Sequence, residues 1–432
     1  MHMTEILVLV LSFMVLLLLG VPIAFCIGIS TTLTMLLSIQ TMPALTTVAQ
    51  RMATGLDSFA LLAIPFFILA GQLMNRGGVA RRLIDLAKAM VGMLPGGLAY
   101  VNILACMLFG AISGSAAAAA AAIGGFMTPL MSKEGYDKNF SAAVNITSST
   151  TGLLIPPSNI LIVYSLASGG VSIAALFLAG YVPGIVVGMA LMIVAGSLAY
   201  IKKYPVGDRV AFKEAFRRFL DAIPSLSLLV VVMGGILAGY FTATEASAIA
   251  VLYTFILSVL IYREVKWKEI PQILLDSAAT TAIVMLLIGT SMGMSWIMSY
   301  ENIPQGVSEA LISLSDNKVV ILLIINLILL FVGTFMDMTP AVLIFTPIFL
   351  PVVMKLGMDP IHFGIILVLN LCIGLCTPPV GSVLFIGCGV ANTTVIKVLK
   401  PLIPMFIAMI VALVLVTYIP ALSLALPRAF GF

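Results

Sequence analysis

The groups best equipped for chemistry in this chain are oxygen-bearing residues set inside apolar runs. Residues 145–159 read Asn145-Ile-Thr-Ser148-Ser149-Thr150-Thr151-Gly152-Leu-Leu-Ile-Pro156-Pro157-Ser158-Asn159. Five consecutive hydroxyl residues run into a glycine and a double proline. Pro156 and Pro157 supply no N–H, so carbonyls upstream lose their helical partners and a helix break is expected. A second stretch reads Gly374-Leu-Cys-Thr377-Pro378-Pro379-Val-Gly381-Ser382. Two further breaks are Ser113-Gly114-Ser115, followed by seven alanines, and Gly333-Thr334-Phe335-Met336-Asp337. Hydroxyls and freed carbonyls are hard oxygen ligands, the kind sodium prefers. A helix that begins at such a break directs its positive end there, which suits a carboxylate. Close packing explains an isolated Ser-Gly-Ser; four polar breaks together ask for more. Asp337 is the one acid inside a hydrophobic hairpin, and three roles stay open: cation ligand, proton acceptor, or cap of the following helix.

The elements that hold these groups are set by composition. Of 432 residues, 9% are charged and 62% hydrophobic, with a mean hydropathy of +1.22. Soluble chains carry roughly 25% charged residues, so this is an all-α polytopic membrane protein surrounded by lipid bilayer. A net charge of +4 argues against a nucleic-acid partner. The first apolar run begins at Ile6 with no basic segment before it and reads as a retained span. The five cysteines sit in apolar runs and read as packing residues; with two histidines in the chain, zinc is poorly supplied. Spans are expected near 5–20, 22–40, 58–75, 137–166, 171–200, 222–240, 243–262, 278–300, 359–390 and 396–424. Two regions, 95–131 and 318–353, are too long for one crossing and are broken in the middle. They read as re-entrant hairpins, whose irregular tips are tolerated only inside protein or beside water.

The chain is also written twice. Gly135-Tyr-Asp137, Gly152 and Pro156-Pro157 recur 222 positions later as Gly357-Met-Asp359, Gly374 and Pro378-Pro379. Leu56-Asp57-Ser58 recurs as Leu275-Asp276-Ser277. With both hairpins re-entrant, 17 of the 21 basic residues, Arg209 among them, fall on one side. That side is cytoplasmic by the positive-inside rule, which leaves both termini outside and makes the repeat inverted. The organisation expected is scaffold helices and an arm in 1–57, repeat 1 in 58–200, central scaffold helices and cytoplasmic arms in 201–276, and repeat 2 in 277–432. Repeat 1 holds hairpin 95–131 and broken helix 137–166; repeat 2 holds hairpin 318–353 and broken helix 359–390. Segments 44–56, 78–92, 209–220 and 266–277 are too short to span and read as interfacial helices or connecting loops. Interrupted segments at matching positions of two repeats are a sequence pointer to a transporter's binding site.

These motifs resemble a known family. The glycine- and serine-tipped first hairpin, Ile155-Pro-Pro-Ser-Asn159, Thr242-Ala-Thr-Glu-Ala-Ser247, Gly333-Thr-Phe-Met-Asp337 and Cys376-Thr-Pro-Pro-Val-Gly381 are similar to those of the large membrane subunit of TRAP (tripartite ATP-independent periplasmic) transporters. The resemblance covers nearly the whole chain. It implies an elevator mechanism in a bacterial inner membrane, with sodium-driven uptake of an organic acid such as a C4-dicarboxylate or sialic acid. It also implies a small four-helix membrane partner on a separate chain, and a periplasmic substrate-binding protein. By motif, one sodium site takes Ser113 and Ser115 with oxygens around Ser149 and Gly152. The other takes Gly333, Thr334 and Asp337 with Gly374 and Thr377, so at least two ions bind. Substrate lies near Ser158, Asn159 and Ser382.

Three rival readings need weighing. Ala111-Ile-Ser113-Gly114 resembles the nucleophile motif of rhomboid-like serine proteases, with alanine at the first glycine and His362 as the only base available to it. The predicted topology separates the two. A stand-alone sodium–carboxylate symporter of the same inverted-hairpin plan is the nearer alternative. A passive scaffold has no use for four costly polar breaks.

Overall fold

Pro, Gly and short polar clusters cut the apolar sequence into twenty α-helices, with no strand, among the described residues. The computed structural model describes residues 3–207, 210–315 and 317–432, and Arg209 lies outside them. In chain order the helices are α1 (Met3–Leu18), α2 (Ile23–Ser38), α3 (Thr41–Leu56), α4 (Ala63–Arg76), α5 (Val79–Val91), α6 (Gly97–Ser113) and α7 (Ala116–Lys133). Then come α8 (Lys138–Ser149), α9 (Asn159–Ala167), α10 (Ile173–Ile201), α11 (Phe212–Leu237), α12 (Ala243–Phe255), α13 (Ile270–Tyr300) and α14 (Ile303–Leu314). The last six are α15 (Lys318–Gly333), α16 (Met338–Lys355), α17 (Pro360–Leu375), α18 (Ser382–Val390), α19 (Val395–Tyr418) and α20 (Ala421–Ala429). Seven helical segments among the described residues are long and apolar enough to cross a membrane.

The polar breaks fall where the residues demand them. Gly114 ends α6 at φ 62°, a left-handed conformation that glycine adopts without penalty. Ser115 then caps α7 by accepting from Ala118 N at 3.2 Å. The helix α8 ends in one 3₁₀ turn at Thr150–Leu153 and restarts as α9 only after Pro156-Pro157. The second half does the same: α17 stops at Leu375 and α18 starts at Ser382, after Pro378-Pro379. Both Pro-Pro bonds are cis.

Contacts fix how the halves meet. Asn102, near the start of α6, reaches Met131 Sδ near the end of α7 (3.8 Å), so these two helices fold back on each other. Both pack on α8, as α15 and α16 both pack on α17. Cys372 Sγ faces Thr150 O and Cys376 Sγ faces Ile146 O, each at 3.5 Å. Lys138 Nζ donates to Asn392 O (2.9 Å), and Tyr164 OH donates to Pro360 O (2.6 Å). The start of each broken helix therefore lies at the end of the other, and the two run antiparallel. The surrounding helices α2 and α3 pack on α13, while α4 packs on both α12 and α13. Arg76 and Asp276 tie α4 to α13 at 2.5 Å.

Two of the four expected surface segments are separate helices, α3 and α5. The other two are not. Residues 212–220 are the first turns of α11, and 270–277 those of α13. No glycine divides them from the apolar runs that follow, and helix propagation costs little once a turn exists. Pro224 lies inside α11 and Pro271 in the first turn of α13, where a missing N–H costs nothing. The short helix α14 was not expected at all; Asn302-Ile303-Pro304 starts it.

Candidate functional site

The starts of four helices converge on one cavity of about 280 Å³. Ala116 opens α7, Asn159 opens α9, Met338 opens α16 and Ser382 opens α18, and all four line it. The opposite wall comes from α4, through Gln72 and Asn75, and from α13, through Thr280. Among its lining residues Asp337 is the single charged one. The positive contribution inside it is thus made by helix N-termini, each equivalent to roughly half a charge.

The predicted site residues fall into three groups. Ser113, Ser115, Asp337, Asn159 and Ser382 line the cavity. The Ser113 hydroxyl and Asn159 Oδ1 are buried and have no hydrogen-bond partner, a costly state unless something else fills the role. Asp337 accepts from the Ser382 hydroxyl at 3.5 Å and makes no capping hydrogen bond to α16.

A second group lies outside the cavity lining, where the hairpins meet the broken helices. Ser149 Oγ donates to Ile146 O (2.8 Å), Thr377 Oγ1 to Ile373 O (2.7 Å) and Thr334 Oγ1 to Phe331 O (2.7 Å). Each hydroxyl proton is committed to backbone, which leaves oxygen lone pairs to accept or to ligate a cation. Gly152 lies against Gly110 of α6, and Gly374 against Gly333 of α15; side chains there would collide with backbone. The loop Pro379-Val380 meets the second tip through Val380 N donating to Thr334 O at 3.2 Å. In the first half, Gly114 abuts Pro157 and Asn159.

Ser158 belongs to neither group. It is fully buried behind the cavity wall, and its hydroxyl donates to Leu153 O at 2.6 Å, bridging the break between α8 and α9. Ser113 and His362 are not brought together. His362 Nε2 donates to Thr417 O (3.2 Å) and the ring lines a different cavity.

Sequence reasoning missed the α4 and α13 wall. Gln72 and Asn75 are three apart, on one face of a helix, in an otherwise apolar span; that spacing was the available signal. Gly71 brings the α4 backbone against the first tip, since a Cβ there would meet Ser113 O at 2.8 Å.

A sequence model of the DctM component of tripartite ATP-independent periplasmic transporters matches residues 10–422. The chain is 57% identical to the uncharacterized protein YgiK of Salmonella typhimurium, covering 97% of this chain and 96% of YgiK. It is 39% identical to the C4-dicarboxylate TRAP transporter large permease protein DctM of Rhodobacter capsulatus, over 96% of this chain and 97% of that protein. It is 37% identical to the sialic acid TRAP transporter large permease protein SiaM of Vibrio cholerae, over 88% and 89%. Among solved structures, the Alcanivorax borkumensis YdaH transporter has a similar fold, with a TM-score of 0.64 at 13% identity over 87% of this chain and 88% of that one.

Proposed function

This chain belongs to the family of the DctM component of tripartite ATP-independent periplasmic transporters, and on that premise we propose that it imports an organic acid by sodium-coupled elevator transport. It is a large permease subunit. Membership implies a small membrane subunit and a periplasmic binding protein beside it. Relatives are named for C4-dicarboxylates, isethionate, sialic acid and 2,3-diketo-L-gulonate, which supports a small organic acid as the substrate class.

The observation that carries the coupling claim is the cavity's electrostatics. An anionic substrate meets four helix N-termini, one carboxylate and no basic side chain. Sodium bound at the two tips would supply the missing positive charge and engage the unpartnered Ser113 oxygen. One ion takes Ser113 and Ser115 with carbonyls near Ser149 and Gly152. The other takes Gly333, Thr334, Asp337, Gly374 and Thr377. Asn159 and Ser382 then read the substrate.

The pairs α6–α7 and α15–α16, as re-entrant hairpins, move with the broken helices α8–α9 and α17–α18 as one transport body. Helices α1–α5 and α11–α14 act as the stator. The antiparallel run of the broken helices supports an inverted repeat, and the one-sided distribution of basic residues supports both termini being periplasmic. Uptake into proteoliposomes carrying both membrane subunits, with substrate delivered by the cognate binding protein, tests the proposal. Uptake should require an inward sodium gradient, and rates indifferent to sodium would refute the coupling.

A further inference from the structure

A second cavity, of about 360 Å³, lies at the end of the bundle where α15 and α17 begin and α19 passes into α20. That volume falls within the range of small-molecule sites, roughly 300–1,000 Å³. Lys318 and Arg428 line it from two helices, together with Asp359 and His362. The side chains carry two positive charges and one negative, a net charge matched by a single phosphodiester. A guanidinium beside an ammonium is the usual protein answer to phosphate.

Position says more than charge. Lys318 is the first residue of α15, directly before an apolar run whose one polar residue, Asn326, is buried. From it Val319, Leu323 and Leu327 form a stripe at helical spacing on the outer face; they are 52%, 46% and 57% exposed. A phosphate held at Lys318 would therefore sit at the end of a ready path for an acyl chain, the arrangement a phospholipid has. A free phosphate ion gains nothing from that stripe.

The remaining polar groups narrow the headgroup. The Thr417 carbonyl can only accept, so His362 Nε2 carries the ring proton and Nδ1 is a bare acceptor. That Nδ1 is buried without a partner. Asp359 offers carboxylate oxygen beside it, one of its oxygens already taking the Ile361 N–H at 2.8 Å. Two acceptors next to two cations suit a phosphate that bears an N–H or O–H donor close by.

We propose that this cavity binds one phospholipid, its phosphodiester between Lys318 and Arg428, its headgroup donor on His362 and Asp359, and an acyl chain along Val319, Leu323 and Leu327. Native mass spectrometry of the full chain purified from membranes tests it, with phosphatidylethanolamine, phosphatidylglycerol, phosphatidylcholine and inorganic phosphate added separately. The ethanolamine and glycerol lipids should be retained at one copy. Phosphatidylcholine, which has no donor, should be retained several-fold less. Lys318→Gln with Arg428→Gln should weaken retention by about tenfold, and Lys400→Gln, a basic residue elsewhere, should not. Lys318 is exposed, so Lys318→Gln alone gives a folded variant with a smaller loss in the same direction. Equal retention by the double variant, equal retention of phosphatidylcholine, or occupancy by inorganic phosphate in preference to lipid would each overturn the assignment.

Discussion

Gly374 stands so close to Gly333 that a methyl group on it would lie 2.5 Å from the Gly333 carbonyl carbon. Gly110 and Gly152 make the matching approach in the other half. Each hairpin tip is thereby locked backbone-to-backbone onto the broken helix of its own repeat.

That contact is testable by the smallest possible change. Gly374→Ala forces the tip away from residues 374–377, and overpacking of this kind costs about 1–3 kcal/mol. The protein should still insert and assemble, but half-saturation by sodium should rise by about tenfold or more. Gly389→Ala, a site with open space around it, should leave uptake unchanged.

Ser113 and Ser158 are both buried serines near the cavity, with opposite roles. Ser113→Ala removes an oxygen that has no protein partner, so stability should hold while sodium affinity falls by about tenfold. Ser158→Ala leaves the Leu153 carbonyl unpaired, which costs about 1 kcal/mol of stability. Its sodium and substrate constants should stay near those of the parent. Thermal unfolding and sodium-dependent uptake, measured on both variants, separate the two roles.

Asp337→Asn distinguishes a charge from a cap. Asparagine caps helices about as well as aspartate, so a capping role would survive the change. The carboxylate lies beside the Ser382 hydroxyl in the cavity and makes no capping hydrogen bond of the N-cap kind to α16. Uptake by the variant should fall at least tenfold at saturating substrate, with the loss read as weakened sodium activation.

Gln72 and Asn75 reach the cavity from the proposed stator. Alanine at either should change the Michaelis constant for substrate by a few-fold, each neutral hydrogen bond being worth about 1 kcal/mol, while sodium half-saturation stays constant. A variant that altered sodium activation instead would place these carboxamides in the ion site.

The helix breaks were legible because their causes are local. Pro156-Pro157 and Pro378-Pro379 cannot continue a helix wherever they fold, and Gly114 has few alternatives after Ser113. The pairing of the halves was legible because the same breaks recur at a fixed offset. Ser158 was not legible: only the tertiary turn decides whether a serine after two prolines faces a cavity or bonds back to Leu153. Gln72 and Asn75 were hidden for a similar reason, since a polar pair on an apolar helix gives no sign of which neighbour it will face. The segments 212–220 and 270–277 looked like separate surface helices because their composition is polar, but composition alone does not end a helix, and α11 runs on even through Pro224.

The most direct test of the account is the sidedness of the two hairpin exits, Lys133 and Lys355, both exposed in the structure. Single cysteines at these positions, with the five buried native cysteines replaced, would be treated with a membrane-impermeant thiol reagent in intact cells and in inverted vesicles. The account predicts labelling of position 355 only from outside the cell and of position 133 only from the cytoplasmic face. Labelling of both positions from one face would contradict it.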